Sequence, residues 1–296
     1  MDAIHEHDHA SKAHLSIFED GLAHCLSSQS NAIQKPAPIK VFYPIKGEEE
    51  GVIFVENLLS PEECLNLIEA TNEIGYKAAD GFDKKVRSNT RCRTLDHEMS
   101  SIIFDRLAEH LPQTLIIDGL RWHVSRFLDN WRYCKYSEGQ HFSPHYDGSK
   151  KFGTYEMSIF TVNIYLNDGF AGGGTRFYMD CEENAHENDF DVAGEVTHII
   201  QPQMGSALVF NHCDKGYLHD GETFIPTETV QAKYIMRADL LYRIDNDNLP
   251  KLKEKEANGE CEFWSLEAAK QGTVVNYIGR TWKCACVSHD VTVTLH

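Results

Sequence analysis

A chain of 296 residues, 42% hydrophobic and 25% charged, has the composition of an ordinary soluble globular protein, and all-β sandwiches approaching this size are often one domain. Its 28 basic against 45 acidic residues give a formal charge of −17, which disfavours a nucleic-acid partner because phosphate backbones are held by clustered Lys and Arg. No stretch approaches the roughly 20 apolar residues of a membrane span, no apolar signal-peptide core follows Met1, and nine scattered cysteines read as free thiols, so the expected compartment is reducing, cytoplasmic or nuclear.

Residues 1–38 are polar and His-rich and are expected to be a disordered leader, although His5, His7 and His9 form a tract that can bind metal adventitiously. The folded domain is expected over 39–250, with a helical part at 56–115 and a β core from about 116 to 245. Val52–Val55 reads as a short strand. Ser60, Pro61 and Glu63 then form a capping box, opening a helix that carries Cys64, Leu65, Leu67, Ile68 and Thr71 on one broad face and ends near Gly75. Arg91 and Arg93 are read as an exposed pair, with bordering a cleft as the alternative. A second helix starts at Asp96 and bears Met99, Ile103, Leu107 and Leu111 at four-residue spacing before Pro112.

From about Trp122 the pattern changes to short β-type runs, among them Ser158–Leu166, Thr175–Tyr178, Val196–Ile200, Ala207–Phe210 and Lys233–Tyr242. Turn residues separate them: Asn167-Asp168-Gly169, Gly172-Gly173-Gly174, and Pro202 to Gly205. Many short strands without long helices between them predict a mainly β fold with flanking helices, a double-sheet jelly roll, also called a double-stranded β-helix. Residues 251–296 read as a charged connector over Lys251–Glu260 followed by a C-terminal β extension. Cys261, Cys284, Cys286 and His289 are zinc ligands by type, but the usual Cys-x2-Cys knuckle is absent and buried thiols are the simpler reading.

The chemistry concentrates at His145-Tyr146-Asp147, followed 74 residues after its first member by His219. In a strand, residues i and i+2 point to one face, so His145 and Asp147 converge. A second imidazole completes a two-His-one-carboxylate face, which leaves coordination positions on Fe(II) for a bidentate keto acid and oxygen. A competing copy exists in His212-Cys213-Asp214 with His289. A keto acid with a second carboxylate also needs a buried cation. Neither Lys nor Arg follows His289, whereas Lys233 and Arg237 follow His219, so the set His145, Asp147 and His219 is preferred.

The flanking residues resemble the prolyl 4-hydroxylase-like branch of the Fe(II)/2-oxoglutarate-dependent dioxygenases. The matching motifs are Arg132 to Tyr136, Gly139 to Asp147, Thr161 to Asp168, Gly172 to Phe177, Pro202 to Phe210, His219 to Gly221, and Lys233-Tyr234. The resemblance spans about residues 122–243. It implies a dioxygenase whose iron is held by His145, Asp147 and His219, and whose 2-oxoglutarate is held through its distal carboxylate by Lys233. Lys233 lies 14 residues after His219, where about ten is usual, so Arg237 stays open as the alternative anchor. Tyr136 and Tyr165 would donate hydroxyls to the same carboxylate, with Thr161 on the Tyr165 strand face. Asn163 projects the same way and is a candidate substrate contact; Arg176, on the opposite face, is read as solvated or as a weaker substrate candidate. Expected co-reactants are Fe(II), 2-oxoglutarate and O2, with ascorbate as an accessory reductant. The expected substrate is an amino-acid-like small molecule or a peptidyl residue such as proline. Two rivals are a nucleic-acid demethylase of the same superfamily, whose Arg-x5-Arg is matched by Arg237 and Arg243, and a non-catalytic metal-binding jelly roll.

Overall fold

A computed structural model describes residues 21–26, 37–78, 84–152, 155–178, 194–213 and 216–258. The capping box forms as read: Ser60 Oγ accepts from the Glu63 amide at 3.2 Å and the Glu63 carboxylate accepts from the Ser60 amide at 2.8 Å, opening α1 (Pro61–Ile74). Gly75 closes the helix at φ +89°, a left-handed conformation natural to glycine. Asp96 caps α2 (His97–Leu107), accepting from the Met99 amide at 2.8 Å. Cys64, Leu67, Met99, Ile103 and Leu107 are fully buried and join both helices to one face of a large sheet.

That sheet is built from β1 (Val52–Glu56), β2 (Thr90–Leu95), β3 (Leu120–Phe127) and β4 (Asn130–Tyr136). A second, four-stranded sheet begins with β5 (Phe142–His145). The chain then alternates between sheets: β6 (Glu156–Tyr165) in the first, β7 (Thr175–Tyr178) and β8 (His198–Ile200) in the second, β9 (Ala207–Asn211) in the first, β10 (Leu218–Gly221) in the second, and β11 (Lys233–Ile244) in the first. The large sheet runs β1-β9-β6-β11-β4-β2, with β3 alongside the far half of β11, and the small one runs β8-β7-β10-β5. This is the mainly β jelly roll, with helices on the outer face of its larger sheet.

Two-residue alternation divides the larger sheet. Cys92, Trp131, Tyr133, Met236 and Ala238 face the helices, whereas Cys134, Tyr136 and Ile235 face the smaller sheet. Arg91 and Arg93, expected as an exposed pair ahead of α2, instead occupy β2 on that second face and are only partly exposed. The reason is that Cys92 and Thr94, which alternate with them along the strand, are drawn into the core, which turns the arginines toward the inter-sheet space.

Within the expected leader, residues 21–26 are folded: Leu22, Cys25 and Leu26 are buried, and the Leu22 and Ala23 amides donate to Asp96. Their apolar surface supplies the reason, since Leu22 and Leu26 extend the cluster formed by α1 and α2. The charged run after Pro250 is α3 (Leu249–Ala257), anchored by buried Leu252 and by Lys255 to Asp118 at 2.9 Å. The β extension, the candidate zinc ligands Cys261, Cys284, Cys286 and His289, and the tract His5, His7 and His9 lie outside the described residues. Cys25, Cys64, Cys92, Cys134 and Cys213 are buried free thiols. Among the described residues, no helix is long and apolar enough to cross a membrane.

Candidate active site

Strands β5 and β10 are neighbours, and His145 pairs directly with His219 across them. Asp147 follows just beyond the end of β5. The three ligand atoms lie within 4.8 Å of one another, with Asp147 Oδ1 3.7 Å from His145 Nε2 and Asp147 Oδ2 3.6 Å from His219 Nε2. Each imidazole is oriented from behind: Nδ1 of His145 donates to the Ser143 carbonyl at 2.8 Å, and Nδ1 of His219 to the Tyr217 carbonyl at 2.9 Å. That tautomer leaves both Nε2 lone pairs facing the carboxylate, the arrangement metal-binding histidines adopt. Burial lowers the pKa of both rings, His145 well below its ordinary range, so both are neutral near pH 7. Phe142 stacks on His145 with centroids 3.6 Å apart, and Phe210 meets His219 edge-on at 4.6 Å.

The outer oxygen of Asp147 is also engaged. Thr161 on β6 donates to Oδ2 at 2.7 Å and Arg237 on β11 lies 2.7 Å from the same atom. Burial alone pushes the Asp147 carboxyl up, but Arg237, with His219 and His145, holds it well below the usual carboxylate range. Arg237 therefore sits against the acid of the cluster, and Thr161 is part of its support. Behind Thr161 stands His212, bonded to it at 2.9 Å and to Ser158 at 3.1 Å, and carried by burial to a pKa of about 4. Of the competing copy, His212 is thus committed to this polar chain, while Asp214 and His289 lie outside the described residues.

Lys233 opens β11 opposite Tyr136. Its side chain is buried, donates to the Gly173 carbonyl, and holds its ammonium 5.1 Å from the Tyr136 ring and 5.9 Å from the Tyr165 ring. Gly173 sits at φ +69°, and a Cβ there would lie 3.2 Å from the Lys233 chain, so glycine lets the carbonyl reach the ammonium. Among the described residues, no carboxylate forms an ion pair with Lys233. Burial lowers its pKa to about 8. Tyr165 shares its hydroxyl with Thr175 at 2.8 Å, and Tyr136 lines the cleft directly.

Lys233, Tyr136, Asn163, Arg237 and the His-Asp-His cluster border one cleft between the sheets that is partly open to solvent. Arg176 does not join them. It forms a two-pronged pair with Asp220, its cross-strand neighbour, at 2.8 and 2.5 Å. Arg87, Cys134 and Phe142, none of them a candidate site residue by sequence, also line the cleft. Arg87 is brought there by a lone bridge pairing its backbone to Phe142, a long-range contact without a local signal.

A family model described as the 2OG-Fe(II) oxygenase superfamily matches residues 131–236, a span that contains both histidines, Asp147 and Lys233. The chain carries a 2OG-Fe(II) oxygenase domain. That domain is the domain of 2-oxoglutarate-dependent dioxygenases, a class that works with Fe(II), 2-oxoglutarate and O2. The residues fit such a set: two neutral imidazoles and a carboxylate suit Fe(II), and a buried ammonium suits a dicarboxylic keto acid. Similar solved structures include a viral collagen prolyl hydroxylase from Paramecium Bursaria Chlorella virus-1, at 18% identity and TM-score 0.42, covering 66% of this chain and 98% of that one. A Pseudomonas putida prolyl-4-hydroxylase gives 15% identity and TM-score 0.44, covering 64% and 92%. A Trichoplax adhaerens prolyl hydroxylase, solved with a hypoxia inducible factor peptide fragment, gives 14% and 0.45, covering 68% and 87%. No curated protein matches the chain.

Proposed function

We propose that this dioxygenase oxidises, chiefly by hydroxylation, an unactivated C–H bond of an amino-acid-like small molecule or of a peptidyl residue such as proline. The observation that carries the reading is the buried Lys233 ammonium, without a carboxylate partner among the described residues, in the same cleft as the His-Asp-His cluster. An ammonium in that setting is unfavourable unless an acid joins it. When bound, Fe(II) with 2-oxoglutarate and O2 supplies the oxidising power, giving succinate and CO2 as co-products, with ascorbate as an accessory reductant. His145, Asp147 and His219 would hold the iron, and the Ser143 and Tyr217 carbonyls keep the rings turned inward. Lys233 would fix the distal carboxylate, assisted by Tyr136. Arg237, already paired with Asp147, is the weaker candidate for that anchor. Phe142, stacked on His145, and Phe210, edge-on to His219, give the two rings apolar neighbours.

The demethylase rival loses support from the same strand, because Arg243 pairs with Glu156 at 3.1 Å, six residues beyond Arg237, instead of sharing its surroundings. The decisive experiment supplies iron and 2-oxoglutarate and measures succinate over a panel of free amino acids and peptides. Wild type is expected to release succinate, and replacement of His145, Asp147 or His219 by Ala to abolish it. Lys233→Ala should chiefly raise the concentration of 2-oxoglutarate required. A protein that binds Mn(II) yet releases no succinate under any condition is a metal-binding jelly roll, and the proposal is then wrong.

A further inference from the structure

Three neighbouring strands present an arginine at the same level. Arg93 on β2 pairs with Arg132 on β4, Arg132 pairs with Arg237 on β11, and Arg237 pairs with Asn163 on β6. Cross-strand partners share a face. Since Arg237 and Asn163 line the cleft, that face is the one toward the metal ligands. Arg91, two residues before Arg93, is on the same face, opposite the cleft-lining Cys134. Arg87 adds a buried guanidinium 4.3 Å over the Phe142 ring.

Like charges directly opposite one another destabilise a sheet. The acids that meet Arg132 and Arg237 are each shared with another cation or with the candidate metal ligands. Asp239 pairs with Arg132 and lies 3.7 Å from Arg237 and 3.8 Å from Lys150. Asp147, which pairs with Arg237, is itself a candidate metal ligand. Asp220 also lines the cleft but is held by Arg176 and Tyr178. Arg93 donates through Nε to the neutral amide of Asn130 at 3.3 Å, and the Nε of Arg237 is buried with no hydrogen-bond partner. Burial, then the charges of Arg87, Arg132 and Arg93, bring Arg91 down to about 10. On a chain with a net charge of −17, cations gathered on one half-buried wall are a feature built for an anion.

That anion is not 2-oxoglutarate. Lys233 and Arg237 are four residues apart on β11, so the level of Arg93, Arg132 and Arg237 lies roughly 13 Å along the strand from the keto-acid anchor, while Arg91, level with Ile235 through Cys134, is set two strands to the side of it. Lys233 at the start of β11 and the Arg91 and Arg93 pair on β2 are therefore separate cationic positions on this face of the sheet. A nucleic-acid backbone calls for exposed, spread cations, whereas these are half-buried inside a cleft. An internal peptide residue brings no charge to meet them.

We infer that the substrate is a small carboxylate-bearing molecule, its acid group held by Arg91 and Arg93 while its C–H bond faces the His-Asp-His cluster. This rests on the oxygenase reading above. The test is calorimetry on protein loaded with Mn(II) and 2-oxoglutarate. The probes are amino acids and dicarboxylic acids, each against its primary amide, with amidated neutral and acidic hexapeptides and a single-stranded oligonucleotide alongside. At least one small acid is expected to bind wild type ten-fold or more tighter than its amide. Arg93→Gln should bring that acid to the level of its amide, and Arg93→Lys should restore part of the difference. Equal binding of acid and amide in every pair overturns the inference without recourse to any variant. So does tightest binding by a peptide or the oligonucleotide, or an acid preference that survives in Arg91→Gln/Arg93→Gln. Succinate release by the same wild-type protein separates the two readings: release without an acid preference sinks only the substrate class, whereas no release at all sinks the oxygenase reading.

Discussion

Burial carries Lys233 from an ordinary 10.5 to about 8, and two pH effects of opposite sense follow. Below pH 8 the ammonium is charged in both folded and unfolded chains, and the fold bears the full cost of desolvating it. Between about 8 and 10.5 the unfolded chain keeps a proton that the folded one has released, so this group's contribution to stability improves as pH rises through that window. The co-substrate needs the charged form, so 2-oxoglutarate affinity should be greatest below pH 8 and fall by up to about ten-fold per pH unit above it. Lys233→Arg, which stays charged, should flatten that decline; an equally steep loss in the variant would exclude Lys233 as its cause. At pH 7 without the keto acid, Lys233→Met should melt at or above wild type, but a given concentration of 2-oxoglutarate should then raise its melting temperature less. The support of Asp147 can be probed as directly. Thr161→Val keeps the shape but removes the hydroxyl that donates at 2.7 Å, and should weaken Mn(II) binding by roughly 10–100-fold, read by paramagnetic resonance of the free ion. Unchanged affinity would mean that Arg237 alone is enough to hold the carboxylate.

Asp96 links two elements, as the N-cap of α2 and as acceptor for the Leu22 and Ala23 amides. Asp96→Ala should cost about 1 kcal/mol through the lost cap, and in addition release residues 21–26, seen as faster hydrogen exchange there than in α1; protection that survives would show that burial of Leu22 and Leu26 holds the segment unaided. Local grammar of this kind was readable in advance. Both caps, the glycine stop at Gly75 and the β-type composition of β6, β9 and β11 depend on near neighbours in the chain. Period-2 alternation shows that two faces differ, but not what each face meets. Arg91 and Arg93 thus read as an exposed pair, although they occupy the face of β2 turned toward the second sheet, whose strands come from distant parts of the chain. Likewise His145, Asp147 and His219 were recognisable by spacing and surroundings, and Lys233 by its Lys-Tyr unit. The partner of Arg237 was not, because it is fixed by the position of Asp147, which no feature of β11 specifies. Arg87 left no trace in the sequence for the same reason.

At the scale of the whole molecule, the charge distribution sets a far field against a near one. The net charge of −17 repels an approaching dianion, while Lys233 and the arginine wall attract it once it is inside. Screening acts on these unequally. The Debye length shrinks from about 30 Å at 0.01 M salt to about 8 Å at 0.15 M, which erases repulsion from distant surface acids before it weakens a buried contact. Association of 2-oxoglutarate with the Mn(II)-loaded protein should therefore speed up as salt rises from about 0.01 to 0.15 M, the reverse of ordinary electrostatic steering. Dissociation, governed by the buried Lys233 pair, should change little over that range. Stopped-flow quenching of tryptophan fluorescence separates the two, given Trp122 and Trp131 in the larger sheet. An association rate that falls with salt would mean that the cations of the cleft project their field beyond its mouth and dominate the approach.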